Sequence, residues 1–327
     1  MKAPGFWDKK AASLWPIILT PASWLYRAVD KINRSLQTER SVDIPVICVG
    51  NIVAGGAGKT PVAIGLAKFF MSEGYSPHFL SRGYGGKLQG PVKVVLDVHQ
   101  FGDVGDEPLL LAQTAPTWIS KDRYMGAVAA ANAGADVIIM DDGFQNPTLY
   151  KDFSVLVMDG QYGIGNGRLL PAGPLREPAE EGLARADAII IVGSSEDKKP
   201  EILNKPVFYS KLVPHEPAKG AALDKVVAFA GIGRPEKFFA SLGDAGCDVI
   251  KGFSFADHHI YKQTEIMKMV ELAAREEAAL VTTRKDFVRL SMEAQMMVTV
   301  FDVELHFDAP DKLQDQLLAL MLDGNPE

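Results

Sequence analysis

The chain has 327 residues, of which 47% are hydrophobic and 23% charged, and its formal net charge is −7. This length favours two α/β domains, and the composition excludes an intrinsically disordered chain. The negative charge argues against nucleic acid as a partner, and the two cysteines, Cys48 and Cys247, are expected to be buried free thiols.

The first 40 residues differ from the rest in charge and in aromatic content. They carry seven Lys and Arg against three acidic residues, a net charge of +4, and three of the four tryptophans. Pro16 and Pro21 interrupt the apolar stretch over 11–29, which argues against a transmembrane helix, and a clear signal-peptide cleavage site is lacking. Basic residues mixed with Trp, Leu and Ile are typical of a helix in a membrane interface; packing on the protein's own core is the alternative.

A glycine-rich loop between a strand and a helix is the strongest functional signal. It reads Gly-Asn-Ile-Val-Ala-Gly-Gly-Ala-Gly-Lys-Thr-Pro over 50–61. Closely spaced N–H groups at a helix N-terminus bind phosphate, Lys59 can reach the outer phosphates, and the Thr60 hydroxyl can ligate Mg²⁺. The general pattern has a glycine where this chain has Val53, so an ordinary glycine-rich turn is the alternative. The residues expected to bind the nucleotide are Gly55, Gly56, Ala57, Gly58, Lys59, Thr60 and Pro61.

A second signal is a buried strand that ends in two carboxylates. The apolar run over 135–140 leads directly into Asp141 and Asp142, which Gly-Phe-Gln follows. Acidic side chains at the carboxyl end of a strand beside a phosphate loop can bind Mg²⁺, which needs few protein ligands. A simple Asp-Gly β-turn is the alternative.

Two glycine-rich stretches indicate parts of a ligand cleft. Arg82 and Tyr84 belong to a Ser-Arg-Gly-Tyr-Gly-Gly turn after a predicted strand over 77–80, where an Arg can point into a crevice. A solvated surface turn is the alternative. The glycine- and proline-rich loop over 163–178 is long enough to be expected to be functional.

Two further segments carry groups suited to proton transfer. Asp106 lies in a Gly-Asp-Glu-Pro segment before a helix, where helix capping and catalysis are both open. His258 and His259 follow Asp257, which suits a histidine positioned by a carboxylate better than a zinc site. A helix N-cap at Asp257 with incidental histidines is the alternative.

Strands alternate with helices along the whole chain, which predicts mostly parallel sheets with crevices at the carboxyl ends of the strands. The expected fold is α/β, with a phosphate-loop NTPase-type domain over 41–204 and a smaller α/β domain over 205–327. An N-terminal amphipathic helical segment covers 1–40. A polar surface turn is expected over 194–200, and the β-type run over 205–212 is expected to connect the halves. Strands are also predicted over 92–96 and 298–303, and a helix over 263–275.

Together these motifs resemble those of the tetraacyldisaccharide 4′-kinases, the lipid A 4′-kinases of Gram-negative bacteria. The resemblance covers nearly the whole chain, and the displaced glycines of the loop are expected in this family. It rests on seven motifs in order: the loop over 50–61, Ser-Arg-Gly-Tyr-Gly over 81–85, Gly-Asp-Glu-Pro over 105–108, Asp-Asp-Gly-Phe-Gln over 141–145, Pro-Ala-Gly-Pro-Leu-Arg-Glu-Pro over 171–178, Asp-His-His over 257–259 and Thr-Thr-Arg-Lys-Asp over 282–286.

The resemblance implies an ATP- and Mg²⁺-dependent kinase that phosphorylates the 4′-hydroxyl of a tetraacyl glucosamine disaccharide 1-phosphate in lipid A biosynthesis. It implies a monomer at the cytoplasmic face of the inner membrane, whose smaller domain closes over the cleft.

The same resemblance assigns roles to individual residues. Asp106 would be the catalytic base and His258 its partner from the other domain, with His259 as the second choice. Lys59 and Asp142 would act at the phosphate end of the site. The metal-binding set would be Thr60, Asp141 and Asp142, and the substrate-binding set Asn51, Arg82, Tyr84, Gln145, Arg176 and Glu177.

The main alternative is a phosphate-loop ATPase or GTPase that acts as a switch or as a metal-delivery chaperone. A GTPase would commonly carry a guanine-reading Asn-Lys-x-Asp motif, and Asn204-Lys205 is followed by Pro-Val without that Asp. A non-catalytic membrane adaptor is a further alternative, and it would bind no nucleotide.

Overall fold

The computed structural model describes residues 4–8, 13–193, 205–214 and 224–323. Within these ranges the strands form one sheet of nine strands and one of four, which confirms the predicted α/β class. The polar turn expected over 194–200 lies outside the described residues, as do Lys2, Lys9 and Lys10 of the N-terminal segment.

The nine-stranded sheet is parallel except at its two edges. Its order is β13-β8-β7-β6-β1-β5-β2-β4-β3, and only β3 and β13 run antiparallel to their neighbours. Its strands are β1 (Val46–Gly50), β2 (Pro77–Ser81), β3 (Val92–Lys93), β4 (Thr117–Ile119), β5 (Val137–Asp141), β6 (Phe153–Asp159), β7 (Ala188–Val192), β8 (Val207–Pro214) and β13 (Val303–Phe307). Strands β1, β2, β5 and β7 are buried at every residue, because helices cover both faces of the sheet.

Helices on the two faces of this sheet complete its two cores. On one face α2 and α11 enclose a cluster that includes Phe70, Phe79 and Leu317, and on the other face α5 and α6 pack over Leu80, Ile138 and their neighbours. The helices of this unit are α2 (Lys59–Ser72), α3 (Phe101–Val104), α4 (Asp106–Leu111), α5 (Arg123–Asn132), α6 (Ala179–Arg185) and α11 (Asp311–Asp323).

The four-stranded sheet is parallel throughout and has the order β10-β9-β11-β12. Helix α8 packs on one face against Phe229 and Leu280, and α7 packs on the other against Ala228 and Val281. The elements of this unit are β9 (Lys225–Ala230), α7 (Pro235–Asp244), β10 (Asp248–Ser254), α8 (Gln263–Arg275), β11 (Ala279–Thr283), α9 (Arg284–Phe287), α10 (Met292–Gln295) and β12 (Thr299–Phe301).

The sequence predicted a domain boundary between residues 204 and 205, but the two sheets do not divide the chain there. Strand β8 pairs with β7, and β13 pairs with β8, so both extend the nine-stranded sheet. Helix α11 adds Leu313 and Leu317 to the core of that same sheet. The four-stranded unit is therefore inserted between β8 and β13. The run predicted as one strand over 298–303 divides at Asp302 between the two sheets, and the strand predicted over 92–96 ends at Lys93.

The N-terminal helix α1 (Trp15–Ser35) turns its apolar side chains away from the protein. Its buried residues are Pro16 and Ser23. The Ser23 hydroxyl donates to the Leu169 carbonyl at 2.9 Å and accepts from Ala172 N at 3.2 Å, which fixes the helix to the loop over 163–178. The exposed apolar side chains at and beside the helix are Leu14, Trp15, Ile17, Ile18, Trp24, Leu25, Val29, Ile32 and Leu36. A helix packed on the core would bury this stripe. Among the described helices, none combines the length and apolarity needed to cross a bilayer.

Candidate active site

A cleft of about 2130 Å³ lies where the carboxyl ends of β1, β5, β2 and β4 face the four-stranded unit. In open parallel sheets ligands bind at this edge. We call the nine-stranded sheet with its helices the larger unit and the four-stranded sheet with its helices the smaller unit. The larger unit contributes to the cleft the phosphate loop, Asp141, Asp142, Arg82, Tyr84, Gln145 and Arg176. The smaller unit contributes Ile232, Gly233, Arg234, Asp257, His258 and Lys285. The expected nucleotide-binding residues and most of the expected substrate contacts therefore meet in one space.

The phosphate loop has the backbone that its glycines predict. Gly55 and Gly58 have φ values of 121° and 90°, which glycine adopts without steric strain. Gly58 precedes α2, and a Cβ there would lie 3.3 Å from Val192. Val53 forms an isolated antiparallel bridge with Leu175. Strand-like pairing thus holds the start of the loop, so glycine is not required at that position.

Lys59 contacts two groups of the larger unit. Its Nζ lies 3.3 Å from Asn51 Oδ1 and 3.5 Å from Asp142 Oδ1. Asn51 is fully buried, and its amide donates to the carbonyls of Val53 at 2.7 Å and Gly55 at 3.3 Å. Asn51 therefore braces the loop from beneath, and it does not line the cleft as a substrate contact.

Asp141 and Thr60 form a site that fits a divalent cation. The Thr60 hydroxyl lies 3.3 Å from Asp141 Oδ2, and the buried Oδ1 of Asp141 meets no donor among the described residues. Burial and the nearby Glu107 carboxylate raise the pKa of Asp141 to about 7. No group of three or more His, Cys, Asp and Glu suited to a metal occurs in the described ranges. A buried carboxylate oxygen without a hydrogen-bond donor, next to the hydroxyl of a phosphate loop, suits Mg²⁺, because Mg²⁺ takes most of its ligands from phosphates and water.

Asp142 differs from Asp141 because it is already paired with cations. Its Oδ1 lies 3.0 Å from Arg176 Nη1, and Lys59 approaches the same oxygen. Burial opposes ionisation of Asp142, but Lys59 and Arg176 outweigh it and lower its pKa. The sequence did not distinguish the roles of these two acids. In the structure Asp142 is paired with two cationic side chains, whereas Asp141 has an oxygen without a donor.

Asp106 meets a histidine from the other unit, as the resemblance implied. His258 Nδ1 lies 2.8 Å from Asp106 Oδ2, while His259 Nε2 lies 3.0 Å from Glu265 Oε2, so His258 is the partner. Asp106 Oδ2 also accepts a hydrogen bond from Arg289 Nε at 2.8 Å, and Arg289 Nη2 lies 2.5 Å from this same oxygen. Asp106 is almost completely buried and its Oδ1 accepts from its neighbour's backbone N–H at 2.9 Å.

These contacts keep the Asp106 carboxylate ionised. Burial opposes ionisation, but the hydrogen bond from His258 and the charges of Lys285 and Arg289 hold the pKa of Asp106 well below its usual range. The sequence offered no signal for Arg289, which lies in a turn after a short helix where an Arg is usually solvated.

The remaining expected substrate contacts differ in their access to the cleft. Tyr84 is exposed and its ring centroid lies 5.7 Å from that of His258. Gln145 lines the cleft but its Nε2 donates to the Asn51 carbonyl at 2.8 Å and to Glu177 Oε1 at 2.9 Å. Glu177 is buried, and its Oε2 lies 2.6 Å from Arg185 Nη2. Glu177 therefore holds the loop over 163–178 in place, and it does not reach the cleft.

Two basic residues that line the cleft were not predicted from the sequence. Lys121 and Arg123 follow the end of β4 and line the cleft together with Arg82. Arg123 is buried and donates from Nη1 to the Ser120 carbonyl, while its buried Nε meets no acceptor among the described residues. Burial and the charge of Arg82 lower the pKa of Arg123 to about 10. The rule that identified Arg82, a basic residue at the carboxyl end of a strand, applies equally to Arg123.

Known proteins resemble this chain over almost its full length. A sequence profile described as "Tetraacyldisaccharide-1-P 4'-kinase" matches residues 15–322. A tetraacyldisaccharide 4′-kinase from Paramagnetospirillum magneticum is 49% identical over 96% of this chain and 97% of its own length, and one from Rhodospirillum centenum is 46% identical over 100% and 98%. The crystal structure of LpxK from Aquifex aeolicus in complex with ATP superposes with a TM-score of 0.78 at 28% identity, covering 94% of this chain and 99% of that one. These matches confirm the resemblance: the chain belongs to the tetraacyldisaccharide-1-P 4′-kinase family.

Proposed function

We propose that the protein transfers the γ-phosphate of ATP to the 4′-hydroxyl of a tetraacylated glucosamine disaccharide 1-phosphate in lipid A biosynthesis. The observation that carries the proposal is the meeting, in one cleft, of a phosphate loop, the Thr60–Asp141 site and the Asp106–His258 pair. Phosphoryl transfer depends on positioning and charge neutralisation more than on covalent chemistry, and this cleft supplies groups for each.

Beside the phosphate loop, Thr60 and Asp141 would hold Mg²⁺, and Asp142 would position two cationic side chains. A bound Mg²⁺ supplies positive charge to the phosphate oxygens. Asp142 bridges Lys59 and Arg176, so that both cations are held beside the loop. On arrival of ATP, Lys59 exchanges its contacts with Asn51 and Asp142 for phosphate oxygens.

For the proton of the attacking hydroxyl, we assign the accepting role to His258. Asp106 Oδ2 already receives His258 and Arg289, and Asp106 is buried, whereas His258 lines the cleft. Asp106 then fixes the proton on Nδ1, which leaves Nε2 as the acceptor. This reverses the two roles expected from the sequence. Because the two side chains belong to different units, the pair forms only when the units meet, which limits ATP hydrolysis without acceptor.

The basic residues Arg82, Lys121 and Arg123, which follow the carboxyl ends of β2 and β4 and line the cleft, are suited to the 1-phosphate of the acceptor. Strand β4 is separated from β5, which carries the Asp141–Asp142 pair, by β2 alone. Two strand spacings are about 10 Å, a distance suited to a disaccharide with a phosphate at each end. The unsatisfied Nε of Arg123 would donate to this phosphate.

The exposed stripe of α1 would lie in the membrane interface, at the cytoplasmic face of the inner membrane. Ile18, Trp24 and Leu25 are about two-thirds exposed, and the exposed Lys31 of the same helix can meet anionic headgroups. The acyl chains of the acceptor stay in the bilayer, so the kinase must bind at the surface to reach the sugar.

The function is tested by ³²P transfer from ATP to a tetraacyldisaccharide 1-phosphate in mixed micelles. We expect a labelled lipid product that depends on Mg²⁺ and is absent without lipid. An acceptor without its 1-phosphate should have a raised KM, and Arg123→Gln should remove most of that difference. Nucleotide hydrolysis without any lipid labelling would overturn the kinase proposal in favour of a phosphate-loop switch.

A further inference from the structure

Arg289 is a buried cation that the reaction outlined above does not use. Its side chain is fully buried, and it lies in the turn that follows α9 of the smaller unit. Its guanidinium faces two units at once. Nη1 contacts groups of the smaller unit, and Nε and Nη2 contact Asp106 of the larger unit.

A closed hydrogen-bond network holds this guanidinium from the side of the smaller unit. Arg289 Nη1 donates to the Gly231 carbonyl at 2.9 Å and to Asp286 Oδ1 at 3.0 Å. The same Asp286 oxygen accepts from the Tyr261 hydroxyl at 2.7 Å and from Gly231 N at 2.9 Å. Asp286 is itself fully buried, and its Oδ2 accepts a hydrogen bond from the Thr283 hydroxyl at 2.6 Å. With one edge fixed in this way, the guanidinium keeps a single orientation toward Asp106.

Charge neutralisation alone does not require this arginine. Asp286 already neutralises it, and Lys285 Nζ lies 4.0 Å from Asp106 Oδ2 with Glu107 at 3.1 Å on its other side. What Arg289 adds is direction, since its Nε donates to the Asp106 oxygen that also contacts His258, with Nη2 beside the same oxygen. An arginine presents donors in a rigid plane, so it fixes the orientation of a carboxylate better than a lysine does.

We propose that Arg289 is a positioning residue for the phosphoryl transfer, which holds the Asp106 carboxylate so that His258 is aligned when the two units meet. This role rests on the proposed function of the Asp106–His258 pair. The smaller unit then supplies both His258 and Arg289, and Arg289 orients the Asp106 carboxylate that contacts His258. The transfer-competent site is then assembled from a triad across the interface, with Asp106 as its only member in the larger unit.

The test is a double-mutant cycle between Arg289 and Asp106, measured on kcat and KM for lipid phosphorylation. We expect Arg289→Gln to lower kcat at least about tenfold in the wild-type background and less than about twofold in an Asp106→Asn background, with the KM for ATP little changed. Equal losses in the two backgrounds would show that Arg289 acts independently of Asp106 and would overturn the proposal.

The matched control is Arg275→Gln. Arg275 is an arginine of the smaller unit on α8, and its Nη2 lies 2.9 Å from Glu276 Oε1. It does not line the cleft. We expect this variant to keep kcat near the wild-type value. A loss as large as that of Arg289→Gln would mean that removing any arginine of the smaller unit impairs the reaction, which would also overturn the proposal.

A pH–rate profile adds a readout that a purely structural role would not move. The charged and titratable groups around the pair are Arg289, Lys285, Glu107, Asp257 and Tyr84. Loss of the cation favours protonation of the pair, so the acid limb of the kcat profile should move to higher pH by about one unit in Arg289→Gln. An unmoved acid limb would contradict the assignment.

Arg289→Lys covers the case in which Arg289→Gln does not fold. It keeps the charge but cannot hold Gly231, Asp286 and Asp106 together, so we expect kcat to fall at least about threefold with an unchanged acid limb. Wild-type kcat in a folded Arg289→Lys would overturn the proposal. Full activity of Asp106→Asn would overturn the function proposed for the pair as well, whereas full activity of Arg289→Gln beside an inactive Asp106→Asn overturns the Arg289 role alone.

Discussion

Replacing two outward-facing residues of α1 should weaken binding to vesicles without unfolding the protein. Ile18 and Leu25 are seven residues apart on one helix face and are 63% and 66% exposed. Full burial of such a side chain contributes about 1.5–3 kcal/mol, so two-thirds burial in the membrane contributes about 1–2 kcal/mol each. The Ile18→Gln/Leu25→Gln variant should therefore lose about 2–4 kcal/mol, or about 30- to 1000-fold in partition coefficient. Gln preserves the helix because its helix propensity is close to that of Leu.

The assay is co-sedimentation of the full chain with vesicles of phosphatidylethanolamine and phosphatidylglycerol over a range of lipid concentrations. Met292→Gln/Met296→Gln is the matched control, because these residues of the smaller unit are 79% and 88% exposed and lie far from α1 in the chain. We expect the control to sediment like the wild type. An unchanged lipid concentration at half-saturation for the α1 variant would refute the interfacial role of this helix face.

Three further predictions test individual residues. Glu177→Gln should leave KM for both substrates unchanged. It should lower the free energy of denaturant unfolding by about 1–3 kcal/mol, because Arg185 loses its buried carboxylate partner. A raised KM at unchanged stability would instead place Glu177 in the cleft. Gly58→Ala should add about 1–2 kcal/mol of backbone strain and weaken ATP binding in calorimetric titration, and normal affinity would contradict the loop geometry. The pKa of Asp106 is lower in the folded protein than in the unfolded chain, so it contributes stability that is present above the unfolded pKa and lost as the pH falls toward the folded pKa. The stability difference between wild type and Asp106→Asn should therefore be constant above about pH 5 and shrink progressively below it. A difference in urea unfolding that stays constant below about pH 5 would mean that Asp106 is not ionised when folded.

Local patterns in the sequence predicted the elements that carry the site. The helix Gln263–Arg275 has the bounds that its spacing predicted, and the phosphate loop and the Asp141–Asp142 pair lie at the strand ends where they were expected. Such features depend on residues close together in the chain, namely helical periodicity, glycine φ values and carboxylates after an apolar run.

Features that depend on distant parts of the chain were not predictable in the same way. The pairing of β8 with β13 joins residues about ninety positions apart, and an alternating strand–helix pattern does not show where a chain returns to an earlier sheet. Asn51 and Glu177 were expected in the cleft because their motifs contain them, yet their side chains bond behind it. A motif identifies which residues act together, and the direction of each side chain is decided by packing.

The insertion of the smaller unit between β8 and β13 has a consequence for biosynthesis of the protein. The core of the nine-stranded sheet includes Leu313, Leu317 and Met321 of α11, and β13 forms one edge, so this sheet cannot be completed until β13 and α11 have left the ribosome. The four-stranded unit is synthesised earlier as one continuous segment and can fold first. The nine-stranded unit, although most of its strands precede the four-stranded unit in the chain, therefore becomes stable after it, and a chain stopped before α11 would expose the apolar side chains that α11 covers.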